Sequence, residues 1–332
     1  MGLLRKSTAV GLEMDSGVIR AVQLKQKGKG FALTGVGRVD IPDGVVSGGV
    51  VEDVEAAADA LRRLWTSGHF SRRDVVLGVS NQGLMMRTVT FPKVPEEKLG
   101  QALRLQAGDY FPIAVSELVM DFSVLRETDN GELEVLLVGV RKEHLQCSLD
   151  ALAESGLTPR VVDAAPLALM RAVPDSEIDG TVMLVDISNG LSTLLVVSEG
   201  VPVFARSLPV TLRSYAEDRG IALEDLFAAE DEGDLGILRS WSATVSTEVN
   251  SSIDYFMSQN GGDGIDALVM GGRGSRVPGL KDMLEDELET DVHLLQPLEG
   301  IALPRTTAVD LESEGPDFSV STGLALRGLE EV

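Results

Sequence analysis

Residues 10–20 read Val10-Gly11-Leu12-Glu13-Met14-Asp15-Ser16-Gly17-Val18-Ile19-Arg20, two largely apolar runs joined by a small, polar turn. A second such stretch, Leu184-Val185-Asp186-Ile187-Ser188-Asn189-Gly190-Leu191-Ser192-Thr193, stands in the other half of the chain. Short apolar runs bounded by Asp, Ser and Gly read as β-strands meeting in a tight turn. The predicted strands are Ala9–Glu13 and Val18–Leu24 in the first half, Val182–Ile187 and Leu191–Val197 in the second. A third strand follows each pair: Phe31–Val39 after the bend at Gly28 and Gly30, and Val203–Leu208 after Glu199-Gly200. One hairpin opening per half predicts two similar lobes facing one another, with the cleft between them as the natural ligand site.

Outward from the first hairpin, Val54, Ala57, Ala58, Leu61, Leu64 and Trp65 keep the spacing of a helix that Gly68 closes. The short apolar run Asp74–Val79 reads as a buried strand. A β-α-β-β-α block follows. It holds strand Leu84–Phe91, a helix opened by Pro95, strands Asp121–Arg126 and Glu134–Val140, and helix Lys142–Ser155, stopped by Gly156.

In the second half a long helix, Ile237–Gln259, carries Trp241, Val245, Val249, Ile253 and Phe256 on one face. After Gly261-Gly262 come strand Ile265–Met270, the glycine cluster Gly271–Gly279 and helix Leu280–Leu288. Ser321–Gly328 reads as a small-residue helix that packs back on lobe one. The expected division is 1–82 for the first part of lobe one, 83–158 for an extra subdomain and 159–180 for a return to lobe one. Residues 181–300 form lobe two, and 301–332 return to lobe one.

Composition narrows the function. The 332 residues are 44% hydrophobic and 24% charged, which suits two lobes or one large α/β unit and excludes wholesale disorder. A net charge of −23 argues against a nucleic-acid partner and against direct docking on anionic lipid. The single cysteine, Cys147, allows no internal disulfide, fits a reducing cytoplasm, and falls on the apolar stripe Leu145, Leu149, Leu152. No window reaches about 18 uninterrupted apolar residues, and Met1–Lys6 is too short for a signal peptide. The expectation is therefore a cytoplasmic protein with no direct membrane insertion. His69, His144 and His293 are the only histidines and none lies in the glycine-rich hairpin turns, so no catalytic residue is named. The acidic run Glu224–Asp234 reads as a solvated loop, with contact to a basic partner protein as the alternative.

The turns carry what chemistry there is. A small-residue hairpin turn can aim backbone N–H groups and a hydroxyl at a phosphate. A carboxylate at the end of the preceding strand can hold Mg²⁺. The third glycine turn, Gly271-Gly272-Arg273-Gly274-Ser275, permits close approach of a flat or phosphorylated ligand.

The order of first hairpin, Asp186 hairpin, Glu248 helix and glycine cluster resembles the superfamily of actin, heat-shock chaperones, sugar kinases and the division protein FtsA. Within it the chain is similar to the PilM family of type IV pilus assembly proteins. The stretches that carry the likeness are Gly11–Leu24, Tyr110-Phe111-Pro112-Ile113, Asp121-Phe122-Ser123-Val124-Leu125, Leu136–Lys142, Ala153-Glu154-Ser155-Gly156-Leu157, Glu248–Gln259, Gly274–Leu280 and Gly323-Leu324-Ala325-Leu326. The resemblance implies an α/β, actin-like (ribonuclease H-like) two-lobed fold with an FtsA/PilM-type extra subdomain. It implies a cytoplasmic adaptor, with ATP and Mg²⁺ in the cleft and weak or absent ATPase activity. The implied partner is the N-terminal cytoplasmic peptide of a PilN-like bitopic inner-membrane protein, which recruits the adaptor to the inner face of that membrane, with a pilus motor ATPase as a further partner for the acidic run. An FtsA-like division protein or a small-molecule kinase is the alternative. The first would be expected to end in a basic amphipathic helix, whereas this chain ends Gly328-Leu329-Glu330-Glu331-Val332.

Carried onto this sequence, the implied nucleotide site comprises Glu13, Ser16, Gly17 and Arg20 from the first turn. Asp186 and Asn189 come from the second, Glu248 at the ribose from the long helix, and Gly271, Gly272, Gly274 and Ser275 from the third. Asp186 and Glu13 are the candidate Mg²⁺ ligands. The family's usual turns read Asp-Ile-Gly-Ser, Asp-Ile-Gly-Ala and three glycines before Ser; here Asp15, Ser188 and Arg273 depart from them. A carboxylate about 4 Å from a phosphate costs roughly 4 kcal/mol at an effective dielectric near 20, unless Mg²⁺, Arg20 or Arg273 offsets it. Two expectations stay open: ATP binds as in the family, or the cleft is degenerate and the fold serves as a peptide-binding scaffold.

Overall fold

In the computed structural model, which describes residues 8–174, 177–227, 235–260, 264–307 and 309–330, the first hairpin forms as expected. Strands β1 (Thr8–Asp15) and β2 (Val18–Lys27) pair antiparallel across the two-residue turn Ser16-Gly17, with Gly17 at φ +80°. Then come β3 (Gly30–Asp40), the short ribbon β4 (Val46–Ser47) and β5 (Val50–Val51), helix α1 (Val54–Ser67) and β6 (Asp74–Val79). Asp53 caps α1 by accepting a hydrogen bond from the Ala56 N–H at 3.0 Å, satisfying one of the free donors of the first turn. The chain continues through β7 (Met85–Phe91), α2 (Glu96–Leu105), α3 (Ala107–Tyr110), β8 (Leu118–Glu127), β9 (Leu133–Arg141), α4 (Lys142–Ser155), β10 (Thr158–Ala164) and α5 (Ala165–Ala172). The second half holds β11 (Thr181–Asp186), β12 (Ser192–Ser198), β13 (Val201–Leu208), α6 (Leu212–Asp218) and α7 (Leu235–Asn260). It closes with β14 (Ala267–Gly271), α8 (Leu280–Leu288), β15 (Val292–Leu294), α9 (Leu311–Glu314) and α10 (Ser319–Glu330).

The repeat expected from the two hairpins is present at the level of whole sheets. One sheet runs β10-β6-β1-β2-β3 and the other β13-β12-β11-β14-β15. Each has three antiparallel strands in sequence, then two more added parallel to the first of them. β1 and β11 are therefore equivalent. Each lies in mid-sheet and is buried over nearly its whole length, which explains why their sequences are apolar runs rather than alternations.

The extra subdomain is a separate three-stranded sheet in the order β7-β9-β8, with a core of Phe91, Leu99, Leu103, Phe111, Leu133, Val135 and Leu137. Helix α4 has the predicted bounds but not the predicted place. Its Ala151 and Leu152 join the core of lobe one with α1, and Cys147 packs at the edge of that core. A helix at the end of a subdomain in sequence buries its apolar face wherever the larger apolar surface lies, and here that is α1. Helices α5 and α6 are two short helices for which the sequence reading assigns no element. Residues 228–234, which hold most of the acidic run, and Gly261-Gly262 lie outside the described residues, as do residues 1–7 and 331–332.

Helix α10 completes lobe one. It crosses β1 and lies along α5, and small residues allow the approach. A methyl group at Gly11 would run into the Ser321 carbonyl and the Ala325 N–H, and one at Gly323 into the Ala168 carbonyl. Backbone atoms cannot rotate aside, so added volume there forces the helix off the sheet. Gly323→Val is expected to lower stability by at least about 2 kcal/mol in urea denaturation. Gly30→Ala, in open space, serves as the control. Equal midpoints for the two variants would rule out this account of the small-residue helix.

Candidate functional site

The turns of the two equivalent hairpins meet between the lobes. Asp15 ends β1, is only 5% exposed, and is bound mainly by backbone N–H groups. Its Oδ1 accepts from the N–H of Ser16 at 2.7 Å and of Gly190 at 3.2 Å, and its Oδ2 from the N–H of Asn189 at 3.0 Å. Arg20 Nη1 approaches the same Oδ2 at 3.5 Å. The Asn189 side chain donates to the Ser16 carbonyl at 3.0 Å, and Ser16 Oγ accepts from the Gly48 N–H at 3.2 Å. A methyl group at Gly190 would overlap Ser16 Oγ, so the two turns are in direct contact.

Beneath Asp15 the charges are buried. Glu13 and Arg20 face each other across the β1–β2 pair, with Arg20 Nη1 3.5 Å from Glu13 Oε1. Burial pushes the Glu13 carboxyl up to about 8, against the pull of Arg20 and with the repulsion of Asp186 and Asp15 behind it. Burial likewise raises Asp186, at the end of β11, to about 6, although a hydrogen bond from Ser188 Oγ opposes the shift. Both acids therefore hold a proton more readily in the folded chain than in the unfolded one.

The third turn packs on the second. Gly271 ends β14 opposite Asp186; Gly272 takes φ +76°, and a side chain there would also strike the Asp186 carboxylate, so both constraints require glycine. The Gly274 N–H donates to the Ile187 carbonyl at 2.8 Å, and Ser275 Oγ to the Gly272 carbonyl at 2.7 Å. Arg273 turns away from Asp15. Its Nε lies 3.9 Å from Asp317 and its guanidinium stands 5.3 Å over the Phe227 ring.

The structure thus brings together Glu13, Ser16, Gly17, Arg20, Asp186, Asn189, Gly271, Gly272, Gly274 and Ser275. It does not bring Glu248 to them. Glu248 is ion-paired with Arg206 on β13, beside a groove of about 880 Å³ that runs between lobe two and the extra subdomain. Helical periodicity puts Glu248 at the edge of the apolar stripe of α7, two turns on from Trp241, but does not say which neighbour that edge meets. Sequence reading missed two cross-lobe contacts. Arg213 of α6 bonds Asp43 at 2.8 Å, and buried Asp317 bonds Arg276 at 2.9 and 3.1 Å with Arg38 at 3.5 Å. The only local sign of Asp317 is an acid beside Gly315-Pro316 just ahead of a helix.

Against a nucleotide phosphate this arrangement is a poor fit. The N–H groups of Ser16, Asn189 and Gly190 already serve a carboxylate, and a phosphate beside that carboxylate meets like charge. For Mg²⁺, Glu13 is already paired with Arg20 and Asp186 already accepts from Ser188, and no three His, Cys, Asp or Glu side chains converge as a metal site among the described residues. A cavity of about 600 Å³ adjoins the turns, lined by Gly17, Asp43, Arg213, Glu217 and Arg273 among others.

Two duplicated sheets with facing hairpin turns and a glycine turn after the fourth strand define the actin-like ATPase fold. Solved structures similar to this chain include the ethanolamine utilization protein EutJ from Carboxydothermus hydrogenoformans, at 15% identity and TM-score 0.53, covering 98% of this chain and 91% of that one. Another is MreB5 of Spiroplasma citri bound to ADP, at 12% identity and TM-score 0.51, covering 96% and 95%. These share the fold alone. Within the fold, the chain belongs to the type IV pilus assembly protein PilM family, whose sequence profile matches residues 11–329. A solved PilM–PilN type IV pilus biogenesis complex is similar at 26% identity and TM-score 0.86, covering 98% of this chain and 99% of that one.

The raised acids make stability depend on pH. Glu13 shifts from 4.5 to about 8 and Asp186 from 3.8 to about 6, so the folded state binds more protons than the unfolded state across those intervals. Their contribution is complete below pH about 4 and is lost as pH rises through about 6 for Asp186 and about 8 for Glu13. Thermal melts followed by circular dichroism at pH 6 and pH 8 are expected to show a smaller drop in Tm for Glu13→Gln than for the unaltered chain. Identical drops would contradict the buried, protonated state of Glu13.

Proposed function

We propose that this chain is a cytoplasmic scaffold of a type IV pilus machine that binds the N-terminal cytoplasmic peptide of a PilN-like inner-membrane protein. The observation that carries this reading is membership of the PilM family over residues 11–329, supported by the likeness to a PilM solved with PilN. Among the described residues no helix is long and apolar enough to cross a membrane, consistent with recruitment to the inner membrane through the partner. The cleft has no nucleotide-driven role in this proposal, because its phosphate-facing N–H groups are engaged by Asp15.

The extra subdomain offers the docking surface. β8 is its outer strand and pairs only with β9 among the described residues, while β7 abuts β13 of lobe two, Thr88 Oγ1 donating to the Pro202 carbonyl. Val119 and Val124 stand exposed on that outer strand and Val115 just ahead of it, while Leu105, at the end of α2 in the same subdomain, is 80% exposed. Large exposed apolar side chains beside a free strand edge favour an extended apolar peptide, which gains backbone hydrogen bonds and buries its side chains.

The test is fluorescence anisotropy with a labelled peptide of the partner's cytoplasmic N-terminus. The unaltered chain is expected to bind, and Leu105→Glu with Val119→Glu to weaken binding at least about tenfold while the circular dichroism spectrum is unchanged. No binding at about 100 μM chain, a level that would still reveal weak complexes, would refute the scaffold reading. Binding untouched by the two substitutions would move the site off this surface.

A further inference from the structure

The hydrogen bonds of Asp15 describe an anion in an anion site. Consecutive backbone N–H groups in a turn form a concavity that binds negatively charged oxygen. The second hairpin presents such a pair, Asn189 and Gly190, at 3.0 and 3.2 Å from the two Asp15 oxygens. The Ser16 N–H adds a third donor at 2.7 Å. Two of these three donors belong to the opposite lobe, so the contact exists only while the lobes are closed.

The surroundings are built for this contact. Asp15 is buried, and Arg20, 2% exposed, supplies the nearest positive charge. Asn189 is fully buried and reinforces the same junction by donating its side-chain N–H to the Ser16 carbonyl. Gly190 lacks the side chain that would hold the turns apart.

We propose that Asp15 is an internal stand-in for a ligand phosphate, filling the anion site of the second hairpin and latching the two lobes shut without a nucleotide. A tethered carboxylate competes at an effective concentration in the millimolar range or above, so free phosphoryl groups of ordinary affinity are excluded. The latch is a property of the cleft and stands whether or not the partner peptide docks on the extra subdomain. The closed arrangement is then the resting state of the scaffold, independent of the nucleotide level around it.

Removing the carboxylate should expose the N–H groups to a ligand. The experiment is isothermal titration of the full chain and of Asp15→Ala and Asp15→Asn with tripolyphosphate, ATP and adenosine, each with and without Mg²⁺. The unaltered chain is expected to bind tripolyphosphate and ATP no tighter than about 1 mM. Asp15→Ala is expected to gain at least about tenfold for both phosphorylated probes and nothing for adenosine, which has no phosphate to place. Asp15→Asn keeps an acceptor without the charge and should gain less. Should Asp15→Ala fail to fold, the isosteric Asp15→Asn decides the matter by the same comparison. Equal affinities in all three chains, or a gain that adenosine shares, would overturn the proposal. So would micromolar Mg-ATP binding by the unaltered chain.

Discussion

The Asp15 carboxylate is held from two sides, by Arg20 on its own sheet and by the Asn189 and Gly190 N–H groups of the facing sheet. The interlobe geometry turns on that arrangement. Glu13, Asp15 and Asp186 influence one another in a buried volume where Arg20 is the cation drawn in closest. Asp15 has three N–H donors to stabilise an anion; Glu13 Oε2 has no hydrogen bond among the described residues. A buried carboxyl whose partner is Arg20 at 3.5 Å, with its second oxygen unserved, is cheaper to protonate than to keep charged. The upward shift of Glu13 is thus the electrostatic counterpart of the hydrogen bonding at Asp15.

Much of the fold was legible in the sequence, because its main constraints act over short distances along the chain. Hairpins announce themselves by turn residues between apolar runs, and α7 and α8 by their periodic apolar faces. The likeness of the two halves was visible in the paired openings at Asp15-Ser16-Gly17 and Ser188-Asn189-Gly190. Packing partners were less legible. Lys142–Ser155 is plainly a helix, but that its Ala151 and Leu152 seat on α1 depends on which apolar surface is nearer in space. The short helices α5 and α6 carry signals too brief to stand out: Pro166 with Ala165, Ala168, Leu169 and Ala172 in one, the Thr211–Ser214 cap in the other.

The site divides the same way. Glycines required by local backbone conformation, such as Gly17 and Gly272 at positive φ, stand out as turn residues in the sequence, although the turn does not say what it binds. Residues whose role depends on a distant partner do not stand out. Nothing within a few positions of Asp15 says that its carboxylate meets Asn189, or that Glu248 is taken by Arg206. Arg273 seemed in the sequence to be a charge available to the phosphate turn, and in the structure Asp317 and Phe227 engage it instead. Identities of 12–15% to other actin-like proteins preserve the sheets, since close backbone contacts constrain only a few small residues. Those identities say nothing about which anion fills the cleft.

Helix α10 gives the molecule a timetable. β1 and β2 lie at the start of the chain, yet the helix that covers them spans Ser319–Glu330. At synthesis rates of about 5–20 residues per second, the ribosome delivers that cover roughly 15–60 seconds after the first hairpin emerges. During that interval Gly11 and Gly78, shaped to receive a helix, face solvent or a chaperone, and a chain released early leaves the central strand uncovered. Lobe one is therefore completed only once translation has passed Glu330, and a chain stopped before Ser319 leaves β1 without its cover.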